Sequence, residues 1–422
     1  MLTVDGDQQD GGPLVKDDGT IGAQIRDLRR RRGLTQEDLA AKAGLSRDVI
    51  KKIESGGSAR MSTYHAIARA LGVVTLTFAA PQSPEPVPAA HNDAALAEIR
   101  SAINPPTGID GQPLFKFNGD TEPDLGMLRD AVRTVALAYH GDRYDTVAEL
   151  APAVVRSAHQ HVAALDGGQQ AEARRLRSDA LGAIGRYLIQ IREHDLALMA
   201  LRDSLADALA IEDKSLAAAA ISSQAWALMR QGRFREVEDL CVAAADRVEP
   251  QISKATPDQL SAWGWLMLRA AAAAARNNRP DEAREYHRVA TAAAAPLGRE
   301  HEHTVGWRAW GPLTVALKGP EHELVMGAPD QALALAEQLP VGVGRTMPSD
   351  WHRHLLDRAH AHLQLGDTDR ATEILTRLRV QAPVWLRYQQ TAREITEDLL
   401  AAAKRMPSEQ QRDLADFLAV TP

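Results

Sequence analysis

The sequence predicts an all-α protein in which a small basic bundle of helices precedes a longer acidic series of helical hairpins. Alanine accounts for 73 of the 422 residues, whereas Phe, Tyr and Trp together account for 18. Alanine is the best helix former, and aromatic and β-branched residues are the ones that favour strands. Short turns of Gly, Asp, Asn or Pro also recur at intervals of about 38 to 52 residues. Together these features predict helices separated by tight turns.

The single cysteine, Cys241, excludes an internal disulfide framework and any zinc finger built on cysteines, and it fits a reducing cytoplasm. No apolar stretch reaches 18 residues. The first residues, MLTVDGDQQDGG, are acidic, whereas a signal peptide begins with basic residues followed by an apolar run. The sequence therefore predicts a cytoplasmic protein that has no membrane partner.

The net charge of −7 is unevenly distributed along the chain. Residues 21–78 contain 11 Lys or Arg and 5 Asp or Glu, which gives a net charge of +6, so the other 364 residues carry −13. Such an asymmetry is typical of a nucleic-acid-binding module attached to an acidic body, and it predicts that the cytoplasmic protein associates with the nucleoid.

Changes in composition predict four segments. Residues 1–20 are rich in Asp and Gly and should be a disordered tail, because they offer too little apolar surface to offset the entropy of ordering. Residues 21–78 have helical periodicity. Residues 79–121 are interpreted as a Pro-rich linker that carries one short helix, DAALAEIRSAI. Residues 122–422 are the predicted series of hairpins, with a sensing and dimerisation role.

The basic segment begins with the helix IGAQIRDLRRRRG, followed by TQEDLAAKAG, SRDVIKKIESG and STYHAIARALG. Thr35 is placed to cap the second helix with Asp38 three residues later, and Gly44 is placed to end it. Ser46 then caps the third helix. Two helices joined by a short turn containing glycine form a helix-turn-helix unit. Its predicted core is Ile25, Leu28, Leu39, Ala40, Val49, Ile50, Ile53, Ile67 and Leu71.

This segment closely resembles the XRE family of helix-turn-helix regulators, the Cro and phage-repressor type. The resemblance rests on Gly-Leu-Thr-Gln before the second helix, Leu-Ala within it, the turn glycine, and Ile-Glu-x-Gly at the end of the third helix. It implies a structural ion pair between Arg29 and Glu54. It also implies that the helix of residues 46–55 lies in the major groove of a double-stranded DNA operator.

The face of that helix opposite its apolar residues carries the predicted DNA contacts. Arg47 can donate two hydrogen bonds to guanine, and Asp48 can accept one from cytosine. By the resemblance, Gln36 lies against a phosphate at the start of the preceding helix, and Arg60 contacts the DNA backbone. Because one such module buries little surface, a homodimer that reads two half-sites is implied. The full set of predicted DNA-binding residues is Gln36, Ser46, Arg47, Asp48, Lys51, Lys52 and Arg60.

The acidic remainder has six similar turns, in YHGDRYDTVAEL, IREHDLALMAL, RQGRFREVEDL, RNNRPDEAREY, VMGAPDQALAL and QLGDTDRATEI. Self-similarity at this period indicates stacked helical hairpins, in which each unit buries its apolar face against its neighbours. The pattern resembles the tetratricopeptide repeat and so implies a tetratricopeptide-like α-solenoid. The small residue that follows the turn in that repeat is matched by Ala197, Val237, Ala283, Ala332 and Ala371.

No catalytic motif is present, because the chain lacks a phosphate-binding glycine loop, a G-x-S-x-G turn and an H-E-x-x-H helix. An enzyme is therefore not expected, and no cofactor is implied. Four H-x-H pairs begin at His159, His301, His352 and His360. If they lie on helices, the two side chains of each pair point to opposite sides and do not chelate one ion. No metal site is expected.

Aligning the repeats on their turns places Trp226 and Trp265 on the face that lines the concave side of tetratricopeptide folds. A groove with tryptophan rings and arginine heads suits a ligand with an apolar part and an anionic end, either a peptide or a small molecule. A protein partner is an alternative. The other predicted groove residues are Arg186, Gln190, Arg230, Arg276 and Arg353.

The whole architecture resembles actinobacterial helix-turn-helix regulators with a C-terminal tetratricopeptide domain. The stretch HTVGWRAWGPLTVALK and the later GDTDRATEILTRLRVQAP resemble the later repeats of that group. The resemblance implies a ligand-responsive, homodimeric transcriptional regulator. The alternative is a repeat-based protein-interaction scaffold in which the basic module only tethers the protein to DNA.

Overall fold

The computed structural model describes residues 21–73, 93–109, 114, 122–403 and 406–420. The chain divides into two compact units, Met1–Ala80 and Pro81–Pro422. The predicted disordered tail lies outside the described residues, as does much of the predicted linker. We call the described part of the first unit, residues 21–73, the N-terminal unit. We call the described part of the second, residues 93–420, the repeat body.

The N-terminal unit consists of four helices whose ends follow from capping residues in the sequence. The Thr35 hydroxyl accepts a hydrogen bond from the Asp38 backbone, and the Asp38 carboxylate accepts one from the Thr35 backbone, which completes a capping box. Gly44 ends the second helix with a φ of 66°, a left-handed conformation that favours glycine. The helices are α1 (Ile21–Arg31), α2 (Gln36–Ala43), α3 (Arg47–Glu54) and α4 (Met61–Leu71).

The core of the N-terminal unit is formed by the apolar residues that the helical spacing predicts. Leu28 and Val49 are partly buried against it, whereas the other seven predicted core residues are fully buried. Tyr64, which was not in the predicted core, is buried with them. Because Ile50 and Ile53 of α3 pack in this core, one side of α3 is buried and the other side is exposed.

Helices make up most of the repeat body, and short turns join them. The helix α5, which was predicted within the linker, packs into the core of the body through Ile99, Ala102 and Ile103. The helices are α5 (Asp93–Ile103), α6 (Leu125–His140), α7 (Tyr144–Ala164), α8 (Gly167–Gln190), α9 (His194–Ala210), α10 (Lys214–Arg230), α11 (Phe234–Val248), α12 (Pro257–Arg276), α13 (Pro280–Ala294), α14 (Pro312–Ala316), α15 (Lys318–Val325), α16 (Pro329–Glu337), α17 (Pro348–Gln364), α18 (Thr368–Gln381), α19 (Pro383–Arg387), α20 (Gln390–Ala402) and α21 (Glu409–Leu418).

Each of the six predicted turns joins two helices that pack against each other. All six have one residue in the left-handed conformation, and the backbone N–H after that residue donates back into the preceding helix, as at the Arg143 N–H to the Ala138 carbonyl. The small residue that follows each of the last five turns is buried, so the two helices of the hairpin approach closely there. The left-handed residues are Asp142, Arg192, Gly232, Asn278, Gly327 and Gly366. The repeat body is therefore a tetratricopeptide-like α-solenoid.

One segment of the repeat body departs from the helical pattern. Antiparallel strands β1 (His301–Thr304) and β2 (Arg308–Trp310) form a hairpin between α13 and α14, in a stretch that resembles a repeat in sequence. His301 and His303 lie on β1, so the helical argument against chelation does not apply to this H-x-H pair. The other three pairs lie on α7 and α17. The described residues contain no group of three or more His, Cys, Asp or Glu that could hold a metal ion.

The first and last parts of the repeat body contact each other. A hydrogen bond of 2.7 Å joins Asp142, in the turn after α6, to His352 on α17. Rings from the two ends also meet, with Tyr144 and Tyr388 centroids 5.7 Å apart. Side chains of α5 to α9 and of α17 to α21 share one apolar core. The two ends of the helical series therefore bury each other's apolar faces. Among the described helices, none is long and apolar enough to span a membrane.

Candidate functional site

A buried ion pair fixes α3 to α1. The Arg29 guanidinium donates to both carboxylate oxygens of Glu54, from Nε at 2.6 Å and from Nη2 at 2.9 Å, and its third nitrogen donates to the Leu34 carbonyl at 2.8 Å. Burial alone would raise the pKa of Glu54, but the hydrogen bonds from Arg29 and Gln36 and the nearby positive charges lower it. The structure thus brings Arg29 and Glu54 together, as the resemblance implies.

Gln36 lies at the first position of α2 and takes part in the same network. Its Nε2 donates to Glu54 Oε2 at 2.8 Å. Nε2 carries a second N–H, which together with the backbone N–H groups at the start of α2 can still donate to a phosphate oxygen. The predicted phosphate contact of Gln36 would therefore be made by a side chain held in place by α1 and α3.

The exposed face of α3 carries the other predicted contacts. Arg47 Nε lies 2.7 Å from Glu37 Oε1 on α2, and both side chains are more than half exposed. Exposed ion pairs of this kind contribute little free energy, so DNA can displace Glu37 at small cost. Asp48, Lys51 and Lys52 are exposed on the same helix.

Ser46 and Arg60 lie at the ends of helices. The Ser46 hydroxyl accepts from the Val49 backbone at 3.3 Å and so caps α3. Arg60 is the residue before α4 and is exposed. Helix α3 therefore starts at a defined residue, and the predicted contacts at its N-terminal end, Ser46, Arg47 and Asp48, are exposed together.

Comparison with known proteins bears on this unit. Residues 25–78 match the helix-turn-helix family model. The uncharacterized HTH-type transcriptional regulator y4dJ of Sinorhizobium fredii is 33% identical over 67 residues, which cover 16% of this chain and 87% of that protein. The chain belongs to the helix-turn-helix transcriptional regulators. The XRE-type resemblance is thus confirmed, and the regulator binds DNA.

A solved structure covers more of the regulator. The crystal structure of Bacillus thuringiensis PlcR in complex with the peptide PapR7 and DNA aligns with 76% of the regulator and 95% of the PlcR chain. The aligned residues are 13% identical, and the TM-score is 0.35.

The β1–β2 hairpin occupies part of the face of the repeat body where the groove was predicted. The Gly306 carbonyl accepts from Arg186 of α8 at 2.9 Å, and the Ala309 carbonyl accepts from the Trp265 indole of α12 at 3.2 Å. Both Arg186 and Trp265 are buried. These two predicted groove residues of the regulator therefore bind its own backbone.

The remaining predicted groove residues divide into two groups. Gln190 is buried and accepts a hydrogen bond from Gln389 at 3.3 Å. Trp226 and Arg230 on α10, Arg276 on α12 and Arg353 on α17 keep part of their surface open to solvent. Arg230 lies over the Trp226 ring, with 5.9 Å between its guanidinium carbon and the ring centroid.

Sequence reasoning missed two arginines on this face. Arg269 lies over both Trp226 and Trp265, at 5.3 and 5.6 Å, and its spacing of four residues from Trp265 on α12 was a signal that could have found it. Arg308 lies over Trp265 at 4.5 Å and donates to the Ser222 hydroxyl at 3.0 Å. Because Arg308 is on β2, helical register alone could not have placed it.

Proposed function

We propose that the regulator is a homodimer that binds specific DNA sequences through α3 and that a ligand bound in the repeat body controls this binding. The observation that carries the proposal is the division of α3 into two faces. Ile50, Ile53 and Glu54 are buried, whereas Arg47 and Lys51 are exposed on the opposite side. A helix with this arrangement in a helix-turn-helix unit presents its polar face to base edges in the major groove.

The homodimer follows from the size of the N-terminal unit. A single module covers only a short stretch of DNA, and operator affinity in this class is usually reached by two modules about 34 Å apart on one face of the duplex. Size-exclusion chromatography with light scattering, on the free protein and on its DNA complex, tests this part. A complex with one chain per operator would contradict it.

Ligand control requires that the effector have different affinities for two arrangements of the protein. The solvent-accessible arginines and Trp226 of the repeat body offer such an effector polar and aromatic contacts. Selection of bound duplexes from a random pool, followed by affinity measurement with and without candidate effectors, tests both the DNA sequence preference and its control. A protein with no preference among duplexes would contradict specific binding.

Arg47→Ala is expected to relax the DNA sequence preference. A bidentate contact to guanine contributes about 1–3 kcal/mol of discrimination, which corresponds to roughly 5- to 150-fold between the correct and a substituted base pair. Competition gel shifts with duplexes changed at single positions measure this. Arg31→Ala is the matched control, because Arg31 is exposed on α1 and pairs with Asp27. An unchanged preference in Arg47→Ala would show that α3 does not present Arg47 to a base.

Lys52→Ala and Arg60→Ala are expected to weaken binding by similar factors on all duplexes. Contacts to phosphate carry no sequence information, and each one lost should reduce the slope of log affinity against log salt concentration by about 1. Fluorescence anisotropy over a range of salt concentrations measures both quantities. If a variant changed the preferred DNA sequence but kept the salt slope, the substituted residue would contact a base and not a phosphate.

A further inference from the structure

Arg230 presents an unused set of hydrogen-bond donors on the repeat body. The residue is exposed at the end of α10, and its guanidinium takes part in no described hydrogen bond or ion pair. A guanidinium has five N–H donors in a fixed planar fork, which matches a carboxylate or a phosphate. The contact that holds it is the face of Trp226.

The carboxylates around Arg230 already have other partners. Arg276 Nη2 lies 2.7 Å from Glu321, and Arg353 Nε lies 3.1 Å from Asp357. Each of these carboxylates is thus paired with an arginine other than Arg230, and Glu321 offsets the positive charges that act on Arg230 only in part.

The electrostatic consequence is visible at Arg230 itself. Burial and the positive charges of Arg353, Arg276 and Arg192 lower the pKa of Arg230 to about 9. Arg230 thus keeps access to solvent while other positive charges act on it. Mutual repulsion of arginines is unfavourable in the free protein. A bound anion would remove that repulsion.

The aromatic neighbour of Arg230 is also partly open to solvent. Trp226 keeps some solvent-accessible surface, and Arg269, which lies over its ring, makes no described hydrogen bond either. A flat apolar group next to the indole would remove apolar surface from water while its charged end reaches Arg230.

We propose that Arg230, flanked by Arg276 and Arg353, binds the carboxylate or phosphate of a small organic anion whose flat apolar part packs against the solvent-accessible part of the Trp226 indole. This inference rests on the proposed function, in which the repeat body takes an effector, and it names the chemical class of that effector. It assigns recognition of charge to Arg230 and recognition of the apolar part to Trp226.

The experiment uses the full chain and three probes of similar shape: benzoate, phenyl phosphate and the neutral benzamide. Isothermal titration calorimetry and thermal shift report binding, because a ligand that binds only the folded state raises the melting temperature. Both anions are expected to bind and benzamide is not. Arg230→Gln should weaken anion binding by at least about 10-fold, since hydrogen bonds to charged groups are the stronger ones. Whichever anion binds more tightly identifies the acidic group.

Matched variants keep the result interpretable. Arg235→Gln is the control, because Arg235 is exposed on α11 and its one ion pair in the described residues, with Asp239, is long at 3.9 Å. Arg230→Lys keeps the charge without the planar fork and should bind with intermediate affinity. Without ligand, Arg230→Gln should melt at the same temperature as the wild type or higher, because it removes repulsion. Equal binding of benzamide and benzoate, no binding of either anion, or unchanged affinity in Arg230→Gln would overturn the proposal.

Measurement of DNA affinity in the same samples separates this inference from the proposed function. If neither anion binds while the chain still selects specific duplexes, the anion site is wrong and specific DNA binding stands. If the anions bind through Arg230 but leave DNA affinity unchanged, the anion site stands and control of DNA binding by this site is wrong.

Discussion

Glu54→Ala is expected to cost the N-terminal unit most of its stability. The Glu54 side chain is only 2% exposed and accepts from Arg29 and Gln36, so its removal leaves the Arg29 guanidinium buried without its carboxylate. Breaking a buried ion pair on one side costs about 3–5 kcal/mol. A unit of this size has a free energy of unfolding of about 3–8 kcal/mol. The variant should therefore lose affinity for all DNA sequences, whatever their order of bases.

Hydrogen–deuterium exchange of peptides from residues 21–73 measures this effect locally. All seven tryptophans lie in the repeat body, so their fluorescence transition serves as an internal control and should not change. The double variant Arg29→Met with Glu54→Leu removes both charges and should recover much of the protection. Wild-type protection in Glu54→Ala would mean that the pair contributes little to the fold.

The same pair predicts a dependence on pH. The pKa of Glu54 in the folded protein is lower than its ordinary value of 4.5. A carboxylate with a lowered pKa stabilises the fold above its ordinary pKa, and this contribution is lost as the pH falls through the folded pKa. Exchange protection of α1 and α3 should therefore decrease below a pH of about 4.5 in the wild type. The double variant should show a smaller decrease.

Gly264→Ala is expected to destabilise the repeat body strongly. A Cβ atom at this position of α12 would lie 2.0 Å from Trp310 Cζ2 and 2.1 Å from Trp310 Cη2. Trp310 is completely buried, and its centroid is 6.0 Å from that of Trp265, so the ring has little room to move. Overpacking of a core costs typically about 1–3 kcal/mol and sometimes more, and this overlap predicts the upper end of that range. Thermal unfolding followed by tryptophan fluorescence measures the loss.

Two further variants show whether the loss comes from this overlap. Gly168→Ala is the matched control, since no atom lies within 4 Å of a Cβ there and alanine favours the helix α8. Gly264→Ala combined with Trp310→Phe removes part of the indole and should be more stable than the sum of the two single changes predicts. A Gly264→Ala protein that melts with the wild type would show that β2 can move away from α12.

The fold of the N-terminal unit could be predicted because local signals determine it. The capping box at Thr35 and the left-handed Gly44 involve residues at most a few positions apart, and apolar spacing selects the core. The six turns of the repeat body are local in the same way. Because the apolar spacing predicts which face of α3 is buried, it also predicts which face is exposed.

The arrangement of the concave face could not be predicted in the same way. Helical register placed Trp265 and Arg186 on that face, but their partners are carbonyls of the β1–β2 hairpin, 44 and 120 residues away along the chain. No periodic pattern relates a strand at Arg308 to a helix at Trp265. The lowered pKa of Arg230 likewise depends on residues of other helices, among them Arg276 and Arg353.

The contact between the two ends of the repeat body affects how the chain folds. A linear repeat array propagates from neighbour to neighbour and frays from its ends. Here Asp142 pairs with His352, 210 residues later, and Arg192 with Gln390, 198 residues later. Contacts so distant in sequence slow folding. During synthesis the first hairpins must wait with apolar surface exposed until the last helices emerge from the ribosome, so their risk of aggregation lasts until translation is nearly complete.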